Sequence, residues 1–524
     1  HGWNTEWPRI RDIGTASQPD YLMTMHGMFW RFPATFSRGQ TAGIRPRSAY
    51  LKVIGDFTRW NDRLVFGCDD SAQKEFLNKR SVKGGIEGPG QSNSNLWFTD
   101  FDTPDKLGPN TAEGAVWLDE KVEANSPSEA FLLAGWSKRA AWLHNAGKQA
   151  TTFTLETDED GTGEWKPWKE ISLSANSSQL VEIPTDITAE WVRVVSDVPT
   201  QATVHFSYTD EDERATKPDV MFSGLATADQ SNSSGGLLYG LGNNRRKLGI
   251  SAINFDKNKQ QNIGYYELDS ALNLVPKKDA STQAFINEKF AIPENVVTVE
   301  KSSVLIVDDL GRRWRLPLGD DAFTSLTDQA ALRIDREVAT ERDLMNCHGT
   351  FYELPAENAD GFAKIRPISS HNYRIHDYAS YRGLLVMSGI DPDTKADTEH
   401  IIRSEDGKVA VWVGVIDDLW KLGKPTGQGG PWIDTSVQAG EASDPYLIGF
   451  YDQRSLQLSH QSDEAVTFTI EVEPVGHGPW MVYEEVTVQA GETFEHQFPD
   501  HFQSRWIRFR SDRDCEATAW LEYR

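Results

Sequence analysis

Asn372, Arg374, His376 and Tyr378 stand two residues apart, the spacing that places side chains on one face of a β-strand. Together they offer an amide, a guanidinium, an imidazole and a phenol. Abstraction of the proton alpha to a uronate carboxylate calls for such a set: Arg374 and Asn372 to neutralise the carboxylate, His376 and Tyr378 as base and acid in either order. His371, Tyr373 and Tyr381 lie close by in sequence and add candidates. Burying such groups without partners costs on the order of 1–3 kcal/mol each, so this face is expected to meet water, protein partners or a ligand. The plainer alternative is a polar strand lining a solvated channel.

An internal comparison singles this strand out. Residues 44–70 lie without a gap on 365–391, and 97–209 on 412–524. His26-Gly27-x-Phe29 returns as His348-Gly349-x-Phe351, and Lys106-Leu107-Gly108 as Lys421-Leu422-Gly423. The positions matched to Asn372, Arg374, His376 and Tyr378 are Leu51, Val53, Gly55 and Phe57, an apolar face. What both copies keep is expected to be scaffold, and what one copy alone has is expected to be function.

That rule sorts the other candidates. His26 and His348 read first as structural hydrogen-bonding groups, with His348 retained as a catalytic candidate. Arg45-Pro46 matches Arg366-Pro367, and two related sheets could present both arginines to one central pocket, so Arg45 and Arg47 are substrate-binding candidates. Asp70 and Asp391 match and read as turn residues. Asp70 stays a substrate contact because Asp69, Asp70, Glu75, Asp391 and Asp393 are the acids a glycoside hydrolase would draw on. The first copy carries a six-residue insertion within 68–95, a Gly-rich stretch whose amides, Asn93 and Asn95, read as a ligand-contacting rim. Asn243 to Arg246 follows a Gly-rich strand and lacks the strand-to-helix context of a phosphate loop. It is a hairpin tip or a means of bringing Arg245 to a pocket.

The chain has 524 residues, a formal charge of −25, a pI near 4.9 and a mean hydropathy of −0.52. The acidity argues against nucleic acid as a partner, and no apolar run reaches the roughly 18 residues of a membrane helix. Arginine is concentrated locally, as in Arg245-Arg246-Lys247 and Arg312-Arg313-x-Arg315, which suits an anionic small ligand or merely solvated strands. The 18 Trp, 14 Tyr and 24 Phe suit sheet packing and sugar stacking alike. Cys68, Cys347 and Cys515 form no paired framework, and their spacing to His26 or His348 is not that of a zinc site. No cofactor is expected and no metal ligands are assigned; a structural divalent metal is left open. The start at His1 fits a mature secreted or periplasmic protein whose leader was removed, or a trimmed chain.

Short runs rich in Val, Ile, Phe, Trp and Thr, punctuated by turn residues, predict an all-β chain. Each copy, 25–210 and 347–524, is expected to hold two to three four-stranded units, and the joining segment 211–346 supplies more strands. The arrangement expected is a single β-propeller domain over 1–524, with seven blades. Two β-sandwiches separated by a linker are the alternative. In organisation the chain resembles the β-propeller carbohydrate-active enzymes, a resemblance that covers the repeat pattern of most of the chain and includes no diagnostic motif. It implies a class of activity and not a substrate; the arginine clusters point to an anionic polysaccharide or oligosaccharide, and a secreted or periplasmic monomer is expected. Three activities follow as expectations: a lyase working by β-elimination, a glycoside hydrolase using paired carboxylates, and a non-catalytic carbohydrate-binding protein.

Overall fold

The strand-forming runs fold as their period dictates. The computed structural model describes residues 8–69, 94–241, 247–257, 259–294, 296–329, 332–339, 342–355, 360–395, 398–476 and 478–524. Among these residues it is all-β, with nine sheets and two short α-helices, Ala280–Lys289 and Ala322–Gln329. No helix is long and apolar enough to cross a membrane.

Five sheets are local, each built from strands consecutive in sequence: 9–49, 54–99, 233–277, 335–370 and 377–414. The rest belong to two β-sandwiches, 111–209 and 427–523. In the first, Lys138–Asn145, Thr200–Thr209 and their neighbours pack on Thr151–Asp158, Trp191–Ser196 and theirs. The second repeats this, and Thr298–Val299, Val304–Val307 and Arg313–Leu316 extend one of its sheets to seven strands through a parallel contact of Arg315 with Tyr446. The joining segment therefore divides: part forms the local sheet 233–277, and part widens a sandwich.

The duplication holds strand by strand. Thr151–Asp158 matches Val466–Glu473, and both show the same alternation of buried and half-buried positions, as one-sided strands require. Each carries an ion pair to its neighbour, Arg193 Nε to Glu156 at 2.7 Å and Arg508 Nε to Glu471 at 2.6 Å. Each guanidinium also covers an indole, Trp165 at 4.4 Å and Trp480 at 4.1 Å. His26-Gly27 and His348-Gly349 are both two-residue hairpin turns with positive φ at each position: 50° and 74°, then 48° and 80°. That is the type I′ geometry, and it explains why both copies keep the dipeptide.

Two buried carboxyls fasten the local sheets together. Asp417 accepts from Leu51 N at 2.7 Å, Lys52 N at 3.2 Å and Trp420 Nε1 at 3.0 Å, tying the second copy to the first, and burial pushes its pKa up to about 6. Asp377 lies where three sheets meet, accepting from Arg333 Nε at 3.0 Å, Arg336 Nη1 at 2.8 Å and Leu238 N at 2.8 Å. Burial works against its charge, yet the two guanidiniums hold it below the usual carboxylate range.

Candidate functional site

The strand expected to carry Asn372 to Tyr378 begins only at Asp377; residues 371–376 cross irregularly from one local sheet to the next. The alternation is therefore not one face meeting a ligand. Asn372 is exposed, while Arg374, His376 and Tyr378 lie in the interior among protein partners. Arg374 donates through Nη1 to Gln230 O at 2.9 Å and covers the Phe255 ring at 4.8 Å. His376 Nε2 lies 2.8 Å from Ser233 Oγ, and its Nδ1 sits over Gly235, where an added β-carbon would come within 2.3 Å. Burial, with Arg374 adding to it, lowers the His376 pKa to about 3. Tyr378 donates to Leu344 O at 2.5 Å and lies 3.1 Å from Ile334 O, and burial raises its pKa well above the phenol value. A phenol that bridges backbone carbonyls and an imidazole sealed from solvent do not reach a substrate proton. Tyr381 is likewise buried, packed against the sheet 233–277, with its pKa raised to about 12.

The remaining histidines are also engaged. His371 Nδ1 accepts from Tyr373 N at 3.0 Å, so the neutral ring carries its proton on Nε2, which donates to Asn346 Oδ1 at 3.2 Å. Burial lowers its pKa to about 3. The Tyr373 ring stacks on it with centroids 6.3 Å apart. His348 accepts through Nδ1 from Gly319 N at 2.8 Å and meets Thr324 Oγ1 at 3.2 Å through Nε2, with its pKa lowered to about 4 by burial. In all three rings burial disfavours the imidazolium.

Several of the arginines chosen for an anionic ligand are paired with acids of the protein. Arg45 forms a bidentate pair with Glu190 at 2.6 and 2.8 Å, and Arg47 another with Asp105 at 2.7 Å. Arg313 and Arg315 share Asp444, and Arg312 pairs with Asp308. Arg45 and Arg366 do not meet in one central pocket. Arg45 lines an open cleft of about 580 Å³ beside the first sandwich. Arg366 pairs with Glu353 and lines the matched hollow of the second copy, which has only about 50 Å³ and is lined also by Pro109 and Glu113. Asp391 accepts from Asp393 N at 2.9 Å, as a turn residue does. Asn95 lies against Gly383, its Oδ1 2.4 Å from the position of an added β-carbon. Arg245, Asn93 and Asp70 lie outside the described residues, as do Glu75 and most of the inserted stretch. Cys68 and Cys347 are buried, and no group of three or more His, Cys, Asp or Glu that could hold a metal occurs among the described residues.

His371 and Asn372 do come together at an open cleft of about 500 Å³. The strand Arg366–Ser370 delivers Ser370 to its wall, where the hydroxyl donates to Thr426 O and accepts from Thr426 N, both at 3.0 Å. The chain's end supplies Glu522 and Arg524, paired at 2.9 Å, and Gln428 is held by reciprocal backbone bonds between its peptide and Leu318 at 2.8 and 2.9 Å. Lys217 and Asp320 complete the rim. The lining is thus mostly amide and hydroxyl, with the paired Glu522 and Arg524 and the charges of Lys217 and Asp320 at its edge, a chemistry that recognises polar groups. Ser370, Gln428, Lys217 and Arg524 were not among the sequence candidates. The polar run Ser369-Ser370-His371-Asn372 at a strand end was the signal for the first of them.

No family model matches the chain, and no curated protein matches it. Solved structures show slight likeness. Over 78% of this chain and 86% of its own length, the PBSX exported protein XepA is similar at 6% identity, with a TM-score of 0.16. PirA is similar over 19% of this chain and 92% of its own, at 14% identity and a TM-score of 0.14. The Lactobacillus farciminis oxalate decarboxylase in a formate complex is similar over 89% and 82%, at 8% identity and a TM-score of 0.14.

Proposed function

We propose that this protein is a non-catalytic carbohydrate-binding protein whose ligand lies in the cleft of Ser370, His371, Asn372, Gln428 and Arg524. The observation that carries this reading is that His371, His376 and Tyr378 are engaged within the protein, while the open cleft offers amides and hydroxyls. In this reading Asn372 and Gln428 bond sugar hydroxyls, and Lys217 meets a carboxylate on an acidic sugar. The local sheets are read as blades of a propeller-like body from which the two sandwiches project. Stacking of the sheet 377–414 on the sheet 233–277 supports that reading.

The test is calorimetric titration of the whole protein with neutral and uronate oligosaccharides, with absorbance of the products followed for a new carbon–carbon double bond. Binding without turnover is expected, weakened about tenfold or more by Asn372→Ala or Gln428→Ala. Accumulation of unsaturated sugar, or binding that ignores both substitutions, would overturn the reading.

A further inference from the structure

The duplication compares two equivalent surfaces, one covered and one bare. In the second copy, one face of the sheet 377–414 presents Ala379, Tyr381, Val386, Val411 and Val413, all buried against Leu238, Ile250, Tyr266 and their neighbours in the sheet 233–277. Among the described residues, no hydrophobic cluster joins another sheet to the matching face of the first copy. There the same face of the sheet 54–99 bears Trp60 where Tyr381 stands, Phe98 where Val413 stands and Leu96 where Val411 stands. They are 63%, 53% and 65% exposed, against 2%, 6% and 0% for their counterparts. Phe98 lies opposite Val65 as Val413 lies opposite Val386, so the two faces share one register.

The flanking ion pair tells the same story. Arg11 stands opposite Leu22 and Arg336 opposite the matched Leu344, and each reaches the matched carboxylate at 2.8 Å, Asp56 in one copy and Asp377 in the other. The Arg336–Asp377 pair is 3% and 0% exposed; the Arg11–Asp56 pair is 46% and 53% exposed. Asp377 also takes a backbone amide, Leu238 N, from the covering sheet, whereas among the described residues Asp56 accepts from Arg11 and its neighbour Phe57 N.

We propose that this bare face, Trp60, Leu96 and Phe98, is a dimerisation surface on which a second copy of this chain lays the same face. Three features select a second copy. The face is the counterpart of one that the fold itself closes by sheet-on-sheet packing. It gathers large apolar side chains on one sheet, which a water-facing sheet avoids. Its two ends carry balanced pairs, Arg11–Asp56 at one and Arg63–Asp100 at the other, so a two-fold axis that turns one sheet end for end sets each acid against a guanidinium. Three strands make a small patch, which places the expected dissociation constant in the micromolar range or above.

Sedimentation of the full chain from about 1 to 200 μM tests this. A reversible monomer–dimer equilibrium is expected, with Phe98→Glu raising the dissociation constant by about a hundredfold or more. Trp60→Ser, a milder change at an exposed site, is expected to weaken the dimer while leaving the far-ultraviolet dichroism and melting midpoint unchanged. A wild-type chain that stays monomeric throughout overturns the proposal and leaves the face to an unlike partner. A dimer that ignores both substitutions overturns it by placing the contact elsewhere.

Discussion

Tyr378 shows what decides the role of a reactive group. Its hydroxyl has the donor chemistry of a general acid, yet it is spent on Leu344 O and Ile334 O, and burial disfavours its phenolate. It acts as a strut between two local sheets. Tyr378→Phe is expected to cost about 1 kcal/mol of stability, the net worth of an ordinary hydrogen bond, and to leave saccharide binding unchanged. Urea denaturation alongside a binding titration checks both, and a loss of binding without loss of stability would restore the residue to a functional role. The same contrast separates His371, which touches the cleft, from His376, which does not, although the spacing favours His376.

The matched ion pairs form a controlled experiment at the level of elements. Asp377 joins three sheets with no exposed surface, whereas Asp56 joins two at the protein's surface. Asp377→Ala leaves Arg333 and Arg336 buried without their counter-charge, and is expected to destabilise by about 3–5 kcal/mol. Asp56→Ala loses a pair that water already screens, at a cost under about 1 kcal/mol. Comparison of the two variants by chemical denaturation checks this, and equal effects would show that the sheet 233–277 does not load the Asp377 junction. The identity of the two positions was legible in the sequence as one stretch aligned on another. Their different burial was not, because it depends on a third sheet that belongs to neither copy.

Acid sensitivity belongs to the whole molecule, since it sums buried groups from several sheets. His348, His371 and His376 are neutral when folded, with pKa values lowered to about 4, 3 and 3, while the unfolded chain returns each to about 6.5. The unfolded state therefore binds more protons across that window. Stability from this source is complete above about pH 6.5 and falls as pH drops toward 3. Asp417 and Glu473, raised to about 6 and about 7 by burial, act with the opposite sign. Their protonated forms favour the fold, and their contribution is lost as pH rises from the ordinary carboxylate range to about 7. Replacing His371 and His376 together by Gln is expected to flatten the loss of stability between pH 7.5 and 4.5. Melting curves at the two values check this, and parallel losses in wild type and variant would show that the rings do not govern the acid limb.

The sequence by itself determined the all-β class and the duplication, because strand period, turn chemistry and aligned markers are local properties written in residue order. It also marked the His-Gly dipeptide as shared by both copies, for a turn needing positive φ at two successive residues leaves a short signature in each. Tertiary structure alone decided the rest. It paired four sheets as sandwiches, closed Arg374, His376 and Tyr378 inside the protein, and brought Ser370, Gln428 and Arg524 to one cleft from distant stretches of chain. The physical reason is that alternation records which residues share a side of a strand but not what packs against that side. A polar face and an apolar face can each be buried or bare, according to whether another sheet arrives to cover it.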